Sequence, residues 1–537
     1  MVLQRSTNTE QHNDNIVYCF DRFVIEDSSQ VMLGGWCFSK QASYVTTLIE
    51  GIEATVIRQD RKDLAESYPN YRDNFRKSGF EIRFKKKDLS AKQFVIIFSD
   101  GISKARVSNA TLKIYSLIQG IRIRKLLLSP FEFFDKLKNS LDAKKYRVQM
   151  LDQLKQQAQL IPQGEVSPRT EFQRKDSDIK YLAFYLPQFH PTKENDEWWG
   201  KGFTEWRNVA RALPMFAGHY QPHIPADLGF YDLRNAETIK EQVDLARRYG
   251  IYGFVFHYYW FGGKRLLEAP MNLFLEHKEI DFPFCICWAN ETWSRRWDGS
   301  ETDILMKQDH NEETDRLFIK DAIELFKDNR YIRIDGRPLL IIYRPDIFPS
   351  LKNTIATWKA YCESQGLPTP FVVGALTFDN NDPTIFGCEA GVEFPPHGLS
   401  PWPITSQKRI LNPNYKGIVF DARSIIQDKD YLSDTPFLKF RTVFPGWDNT
   451  PRKPNLGVVY DHTSPEFYKE WLKDVSEYTI KNMPPEKRFV FINAWNEWAE
   501  GAHLEPDFKF GNRFLEATSD VIKELRFADE KTDHSQI

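Results

Sequence analysis

The chain has 537 residues, of which 41% are hydrophobic and 27% charged, and its formal net charge is −2. This composition is ordinary for a globular protein, and the near-zero charge excludes a global field that would attract nucleic acid. The length predicts two or three domains. The opening residues are polar and no apolar run approaches the roughly 20 residues of a membrane helix, so we expect a cytoplasmic protein.

The N-terminal part of the chain divides into three segments. Residues 1–15 are polar and are predicted to be disordered. Over residues 16–114, β-rich runs such as IVYCFDRFVI alternate with turn-like stretches, which predicts a small β-sandwich-like domain. Residues 115–178 form a basic helical connector that becomes a polar linker. Because Lys and Arg interleave with Leu and Phe over 115–150, the connector is interpreted as a helix packed between domains, with peripheral membrane contact as the alternative.

From residue 179 to about 525, apolar β runs alternate with amphipathic helical patterns. The β runs are IKYLAFYLPQF, YGFVFHYYW, FPFCICWAN, PLLIIYRP, FVVGALTF, CEAGVEF, FLKFRTVFPGW and RFVFINAWNEW. Eight such runs, mostly followed by helices, predict an α/β fold with a closed (β/α)8 TIM barrel. The alternative, a doubly wound sheet, needs a glycine-rich turn where this sequence has LPQFHP. Residues 526–537 are predicted to be a polar tail.

Polar and aromatic residues stand at the C-terminal end of every predicted barrel strand, where active sites of this fold lie. The substrate-binding candidates at or after these ends are His190, His257, Tyr258, Tyr259, Trp288, Asn290, Glu291, Arg344, Asp379, Glu393, Trp447, Asp448, Asn496, His503 and Glu505. The loop after the first strand adds Trp198, Trp199, Glu205 and Trp206. A single polar end is equally well explained as a strand cap. Caps would not repeatedly select His, Trp and Glu, and clustered aromatic rings suit a groove that stacks on sugar C–H faces.

The carboxylates after the eighth strand are the main candidates for catalytic residues. Cleavage of a glycosidic bond typically needs one carboxyl group as proton donor and a second as base or nucleophile. The segment NAWNEWAEGAHLEP places Glu500 three residues after Glu497, and residues at this spacing share a helix face. Proximity drives the pKa values of two carboxyls apart, which leaves one acid and one base. Glu497 and Glu500 are therefore the predicted catalytic pair, with Glu291 and Glu393 as rivals and a solvent-facing role as the alternative for Glu500.

No metal site and no cofactor are predicted. Cys285 and Cys287 are only one residue apart, closer than the usual spacing of a zinc-binding pair. The acidic run from Asp379 to Asp382 has the wrong spacing for the Asp-x-Asp metal site of a nucleotide-sugar transferase. Basic loop residues that could bind a phosphate, or equally an acidic sugar, are Lys264, Arg265, Arg295, Arg296, Arg452 and Lys453.

Five long motifs together resemble a known family. They are YLPQFHP, WWGKGFTEW, GFVFHYYWFGGKRLLEAP, FCICWANETWSRRWDG and INAWNEWAEGAHLEP, in this order over residues 179–515. They are similar to the WbsX family, the glycoside hydrolase family 99-like proteins of bacterial lipopolysaccharide and capsule gene sets. The stretches GGWCF and SYPNYRDNFRKSGFE resemble a β-rich accessory module found on proteins of surface-polysaccharide synthesis.

The resemblance implies a (β/α)8 barrel related to retaining endo-α-mannosidases, whose chemistry is done by a Glu-x-x-Glu motif after the last strand. Glu497 would be the base that deprotonates the sugar 2-hydroxyl, which attacks its own anomeric carbon. Glu500 would be the acid that protonates the leaving oxygen and later activates the incoming water or sugar hydroxyl. This mechanism needs no metal.

The expected function is an enzyme that acts on glycosidic bonds of a bacterial surface polysaccharide (lipopolysaccharide O-antigen or capsule) or of its precursor. Its partner would be an oligosaccharide or polysaccharide, and no nucleic acid is expected. The alternatives are a glycosyltransferase of lipopolysaccharide or capsule biosynthesis that uses an activated sugar, and a non-catalytic glycan-binding scaffold. The sequence does not define an oligomeric state.

Overall fold

The computed structural model describes residues 16–25, 30–39, 45–50, 54–59, 78–85, 95–99, 104–108, 148–157, 159, 172–295, 300–378 and 380–534. The chain divides into two compact units, residues 1–144 and 145–537. This division falls inside the predicted connector, so residues 145–178 belong to the second unit. The predicted disordered start, the connector residues 115–147 and Asp379 lie outside the described residues.

The first unit contains two small antiparallel sheets. One has four strands in the order Ile16–Ile25, Gln30–Ser39, Gly79–Lys85 and Ala54–Gln59. The other has three strands in the order Thr46–Glu50, Val95–Ser99 and Lys104–Ser108. The rings of Phe80 and Phe98, one from each sheet, lie with centroids 5.1 Å apart. Both rings are buried, so the two sheets share an apolar core, as the predicted β-sandwich-like domain requires.

The second unit is built on eight parallel strands. In chain order they are Lys180–Tyr185, Ile251–Phe261, Phe284–Trp288, Arg337–Ile342, Phe371–Leu376, Ala390–Glu393, Lys439–Val443 and Phe489–Ile492. Each pairs in parallel with the next, and the eighth pairs with the first. The strands therefore close into a barrel, and the predicted TIM barrel is confirmed. All eight predicted β runs contain a barrel strand, because strands covered on both faces read as continuous apolar runs.

Helices cover the outside of the barrel. The longer ones are Ala236–Arg248, Ala269–Glu276, Glu312–Phe326, Leu351–Ser364, Pro465–Asn482 and Arg513–His534. Four of them begin where a side chain binds a free backbone amide: such a hydrogen bond is accepted at the helix N-terminus by Asn235, Asn311, Ser350 and Ser464. The last helix runs to His534, so it includes residues 526–534 of the predicted polar tail.

Shorter elements lie in the connections between the barrel strands and the helices. The short helices are Lys193–Trp199, Trp206–Ala210 and Arg423–Asp428, with 3-10 turns at Pro345–Ile347, Pro383–Phe386, Thr405–Gln407, Asp430–Leu432, Pro485–Lys487 and Trp498–Glu500. The short strands are Lys264–Leu266, Trp293–Arg295, Ser300–Met306, Arg333–Ile334, Trp402–Pro403, Ile418–Asp421, Trp447–Asp448, Val458–Asp461, Asn496–Glu497 and Ala502–His503. Among the described residues, no helix is both long enough and apolar enough to cross a membrane.

Aromatic rings fill the barrel below its C-terminal mouth. Phe184 of the first strand lies 4.8 Å from Phe394 and 5.8 Å from Phe491, between ring centroids. His257 of the second strand packs against Phe184 at 5.8 Å. These rings form a closed apolar floor, so any ligand must bind above them, among the loops that follow the strands.

Candidate active site

A short hairpin after the eighth strand carries the two predicted catalytic residues. Its strands, Asn496–Glu497 and Ala502–His503, pair antiparallel and are joined by the 3-10 turn Trp498–Glu500 and Gly501. Gly501 has a left-handed φ of +60°, and a Cβ there would lie 3.2 Å from the Asp448 Cβ. A side chain at Gly501 would therefore strain a tightly packed turn. The 3-10 turn places Glu500 about one turn after Glu497.

Arg452, in the loop after the seventh strand, joins three carboxylates. Its Nη2 donates to Glu497 Oε1 at 2.7 Å, and its Nη1 lies 2.7 Å from Glu500 Oε1. Its Nε donates to Glu205 Oε2 at 3.3 Å. The side chains of Arg452 and Glu205 are 8% and 0% exposed, so this cluster is withdrawn from water. The planar guanidinium thereby fixes both predicted catalytic carboxylates at one end of the cavity described below.

The charges in this cluster do not cancel. Burial raises the pKa of Glu497 well above its ordinary value, and the nearby charges of Glu500 and Glu205 raise it further against the opposing Arg452. Burial likewise raises the pKa of Glu500, with Arg452 opposing. One guanidinium neutralises one of three carboxylates, so full ionisation would bury an excess of negative charge. Retention of a proton by the Glu497–Glu500 pair relieves this excess, and the pair titrates as a unit.

A cavity of about 250 Å³ opens in front of the two carboxylates. Its walls are Leu186, Gln188, Asn195, Trp198, Trp199, His257, Tyr259, Ala289, Glu291, Thr292, Trp293, Leu305, Tyr343, Phe394, Arg452, Asn493, Glu497 and Glu500. Seven of the predicted site residues are therefore brought together: Trp198, Trp199, His257, Tyr259, Glu291, Glu497 and Glu500. Three carboxylates, those of Glu291, Glu497 and Glu500, line the cavity, and aromatic rings form much of the remaining wall.

The aromatic wall is a connected cluster. Trp293 makes edge-to-face contacts with Trp198 at 5.6 Å and with Tyr259 at 5.0 Å between ring centroids. Burial, and then the charge of Arg452, lower the pKa of His257 to about 4, so this imidazole is neutral at physiological pH. Burial also raises the pKa of Tyr259, whose hydroxyl accepts a hydrogen bond of 3.1 Å from Gln188 Nε2. The wall thus presents rings and neutral polar groups, which suit a sugar.

Other predicted residues lie behind the cavity and hold its walls. Glu505 accepts hydrogen bonds from Trp498 Nε1 at 2.7 Å, Tyr231 at 2.8 Å and Gln242 at 2.6 Å. Burial raises the pKa of Glu505 to about 7. Asn496 bonds both the amide and the carbonyl of Leu186, at 2.7 and 3.0 Å. These two residues join the hairpin to the first barrel loop.

Two further aromatic candidates pack on the hairpin from outside the cavity. Trp206 lies 5.6 Å from Trp498 between ring centroids and donates its Nε1 to the Tyr231 carbonyl. His503 stacks on Trp498 at 3.7 Å. Both are buried, and their contacts position Trp498, which stands between the two catalytic candidates in sequence.

Several candidates at the strand ends do not line the cavity, which corrects their interpretation as substrate ligands. Trp288 is fully buried and stacks on Phe318 at 3.8 Å, between barrel and helices. Tyr258 donates to Asp321, again on the outer side of the barrel. Glu393 pairs with Arg441 at 2.9 Å and lines a separate cavity of about 240 Å³. Successive residues of a strand face opposite ways, so only alternate ones face the interior.

The remaining candidates form hydrogen bonds and ion pairs with other residues of the protein. Asn290 bonds the backbone amide and carbonyl of Arg344, both at 2.8 Å, and Arg344 binds Glu291 at 2.7 Å. Asp448 binds His219 Nε2 at 2.6 Å and Gln221 Nε2 at 2.5 Å. Burial opposes ionisation of Asp448, but His219 and its hydrogen bonds prevail and hold the pKa at about 2.

Two predicted residues of the outer loops also lie away from the cavity. His190 is buried beside the Pro191 carbonyl, at 3.2 Å from its Nδ1. Trp447 belongs to a strand that pairs with Val458–Asp461. Neither side chain reaches the cavity, and Asp379 lies outside the described residues.

Part of the site was not predicted from the sequence. Arg452 was predicted only as one of six basic loop residues that could bind a phosphate or an acidic sugar, whereas in the structure it binds carboxylates of its own chain. Asn195, Thr292, Phe394 and Asn493 line the cavity but were not singled out. Phe394 and Asn493 could have been predicted as site residues, because they directly follow the sixth and eighth barrel strands.

The fold and the site together define a TIM-barrel protein in which a pair of carboxylates faces a cavity with aromatic walls. The sequence pattern of the WbsX glycosyltransferase family matches residues 181–518. The chain therefore belongs to the WbsX glycosyltransferase family, as its motifs predicted.

The uncharacterized protein WxcX, from two strains of Xanthomonas campestris pv. campestris, is 45% identical over 359 residues, which are 67% of this chain and 52% of WxcX. The chain thus spans about half the length of these curated relatives.

Similar solved structures include the GH99 endo-alpha-mannosidase of Bacteroides thetaiotaomicron, at TM-scores of 0.40 and 0.39 in two structures. These are 15% identical to this chain and cover 67% of it and 100% of the mannosidase. A glycoside hydrolase-like protein is similar at a TM-score of 0.40 and 12% identity, covering 67% of this chain and 97% of the other.

Proposed function

We propose that this protein acts on glycosidic bonds of a bacterial surface polysaccharide or of its precursor, with Glu497 and Glu500 as base and acid. The observation that carries this proposal is the pair itself. Both carboxyls bind one guanidinium, both have raised pKa values, and both face a cavity with aromatic walls. A pair that holds one proton contains the base and the acid that such a reaction needs.

The reactive form of the pair has Glu497 ionised and Glu500 protonated, and in the first step Glu497 removes the proton of the sugar 2-hydroxyl at the bond to be cleaved. The 2-oxygen then attacks the anomeric carbon of the same sugar and forms a three-membered 1,2-anhydro ring. The bond from the anomeric carbon to the leaving oxygen breaks, and Glu500 gives its proton to that oxygen. Glu497 now carries the proton and Glu500 is ionised, so the pair has kept one proton throughout.

In the second step, the ionised Glu500 accepts a proton from an incoming hydroxyl, whose oxygen attacks the anomeric carbon. The anhydro ring opens and its oxygen regains a proton from Glu497. Two displacements at one carbon retain its configuration, and both carboxyls return to their starting states. Arg452 supports both steps because it stays charged whichever of its partners is ionised.

The incoming hydroxyl decides between hydrolysis and transfer. Water gives hydrolysis, whereas a sugar hydroxyl gives a new glycosidic bond by the same steps. The description of the family as glycosyltransferases favours a sugar acceptor, which makes transfer the second candidate function. Mass spectrometry separates the two, since transfer adds acceptor mass to the product, and calorimetry against nucleotide and polyprenyl diphosphate sugars tests an activated donor.

The roles of the two carboxyls are tested by Glu497→Gln and Glu500→Gln. Both variants should lose at least about 100-fold in turnover of a natural glycosidic bond, the usual contribution of general acid or base catalysis. A glycosyl fluoride needs no protonation of its leaving group, so it should restore bond cleavage to Glu500→Gln but not to Glu497→Gln. Full activity of Glu500→Gln on the natural bond would refute the assignment.

A matched control shows that the loss is specific to the pair. Glu324 is an exposed glutamate on the helix Glu312–Phe326, paired with Lys327 at 2.7 Å. Glu324→Gln changes charge by the same amount at a site remote from the cavity. It should leave turnover of both substrates unchanged.

A further inference from the structure

Two histidines and one aspartate converge on the outer side of the catalytic hairpin. His503 lies on the returning strand of the hairpin, Asp507 follows it by four residues, and His223 comes from the first barrel loop. His223 Nδ1 and His503 Nε2 are 2.8 Å apart. Asp507 Oδ2 lies 4.0 Å from each of these nitrogens. All three residues are more than 85% buried at their side chains.

The second nitrogen of His503 fixes its tautomer. His503 Nδ1 lies 2.9 Å from the Glu505 carbonyl oxygen, which can only accept a hydrogen bond. The proton therefore sits on Nδ1, and the lone pair of Nε2 faces His223 and Asp507. Metal-binding histidines usually donate their other ring N–H to a carbonyl or carboxylate in this way.

The charged groups around the cluster are few among the described residues. Lys509 acts on Asp507 through its charge, and its Nζ lies over the rings of Tyr220 and Phe510, at 4.8 and 4.5 Å from their centroids.

Asp507 supplies the observation that points to a ligand. Its Oδ1 accepts a hydrogen bond of 2.6 Å from the Phe510 amide. Its Oδ2 is buried and has no hydrogen-bond partner among the described residues, although it is directed at two imidazole nitrogens. A buried carboxylate oxygen without a partner is costly, and a cation between the three atoms would remove that cost.

The three atoms lie close enough together to share one zinc ion after a small adjustment, because a tetrahedral site separates its ligand atoms by about 3.3 Å, against 2.8 and 4.0 Å here. From their mutual distances, the point equidistant from all three lies about 2.1 Å from each. Zinc binds imidazole nitrogen at about 2.0–2.1 Å and carboxylate oxygen at about 2.0–2.2 Å. Two imidazoles and one carboxylate are a common ligand set for zinc, with water as the fourth ligand. His223 keeps 13% of its side chain exposed, which gives a water access.

We propose that His223, His503 and Asp507 bind one zinc ion, which ties the first barrel loop to the hairpin that carries Glu497 and Glu500. The ion lies behind the hairpin and takes no part in the reaction. It restrains the hairpin through His503, which pairs with Asn496 and stacks on Trp498. The site is formed by residues 223, 503 and 507, and none of the three lines the active-site cavity.

The test is zinc binding to the full chain in the absence of substrate. Protein stripped with a chelator is titrated with zinc chloride by calorimetry, and then with cobalt(II), whose visible absorption bands report tetrahedral nitrogen and oxygen ligands. We expect one ion per chain and a rise in Tm on binding. Loss of an outer hydrogen-bond partner already weakens a metal site about 10–100-fold, so Asp507→Asn and His503→Gln should each weaken binding at least about 100-fold.

A surface histidine provides the control. His277 lies on the surface with Glu279 at 2.8 Å, so His277→Gln should bind zinc like the wild type. Absence of zinc binding by folded wild-type protein would overturn the proposal and leave the His223–His503 contact as a plain hydrogen bond. So would binding that Asp507→Asn, which preserves shape, leaves unchanged. Because no substrate is involved, either result is independent of the proposed reaction.

Discussion

Replacement of Arg452 by methionine removes the cation that binds three largely buried carboxylates. Glu205, Glu497 and Glu500 lie within 3.3 Å of its guanidinium, and their side chains are at most 20% exposed. Removing one partner of a buried ion pair typically costs about 3–5 kcal/mol, because the other charge stays buried without compensation. We therefore expect Arg452→Met to lower the free energy of unfolding by about 3–5 kcal/mol at pH 8.

The loss should depend on pH in a defined direction. The pKa values of Glu497 and Glu500 are already raised in the folded protein, and removal of Arg452 raises them further. A carboxyl with a raised folded-state pKa stabilises the fold below its unfolded pKa, and this stability is lost as pH rises through the folded pKa. The pH range over which this stability is lost extends further upward in the variant. The difference in the free energy of unfolding between wild type and variant therefore grows from pH 5 to pH 8.

Urea denaturation followed by tryptophan fluorescence measures this difference. Of the 14 tryptophans, all except Trp36 belong to the second unit, so the signal reports the barrel. Arg234 is the control, because its pair with Asp232 is about half exposed and Arg234→Met should cost at most about 1 kcal/mol. A loss below about 1 kcal/mol for Arg452→Met at pH 8, or an equal loss at pH 5 and pH 8, would show that Arg452 does not compensate the charge of these carboxylates.

Three further predictions follow from buried groups of the barrel and from the proposed reaction. Trp288→Ala should cost about 3–5 kcal/mol of stability and leave oligosaccharide affinity unchanged, whereas Trp199→Ala should weaken affinity in calorimetry; the reverse pattern would contradict the placement of these rings. The pKa of Glu505, raised by burial to about 7, should make wild-type stability fall by about 3 kcal/mol between pH 4.5 and 7. Glu505→Gln should flatten this part of the profile of Tm against pH. An unchanged profile would count against Glu505 as the cause of this pH dependence. A substrate that lacks the 2-hydroxyl at the cleaved bond should bind without being turned over, and its turnover would exclude the anhydro-sugar step.

The barrel could be predicted from the sequence because its signals are local. Phe284–Trp288 and Arg337–Ile342 are continuous apolar runs, as expected for strands covered on both faces. The proximity of Glu497 and Glu500 could also be predicted, because a chain that turns helically after Glu497 places Glu500 about one turn further on. Both features depend on residues close together in the chain.

The orientation of individual side chains could not be predicted in the same way. Tyr259 faces the cavity and Tyr258 faces Asp321, yet both stand at one strand end in a polar and aromatic run. Which of two neighbours faces inward depends on the register with adjacent strands. Arg452 and His223 lie in irregular loops, whose positions follow from packing rather than from any period of the sequence.

The roles of Glu497 and Glu500 are tested most directly by product analysis with mass spectrometry and NMR, after incubation with surface polysaccharide from the bacterium that produces the protein. The wild type should form cleaved or extended oligosaccharides with retained anomeric configuration. The same products should be absent with Glu497→Gln and Glu500→Gln. Products with inverted configuration, or unchanged product formation by either variant, would contradict the assignment of Glu497 and Glu500 as base and acid.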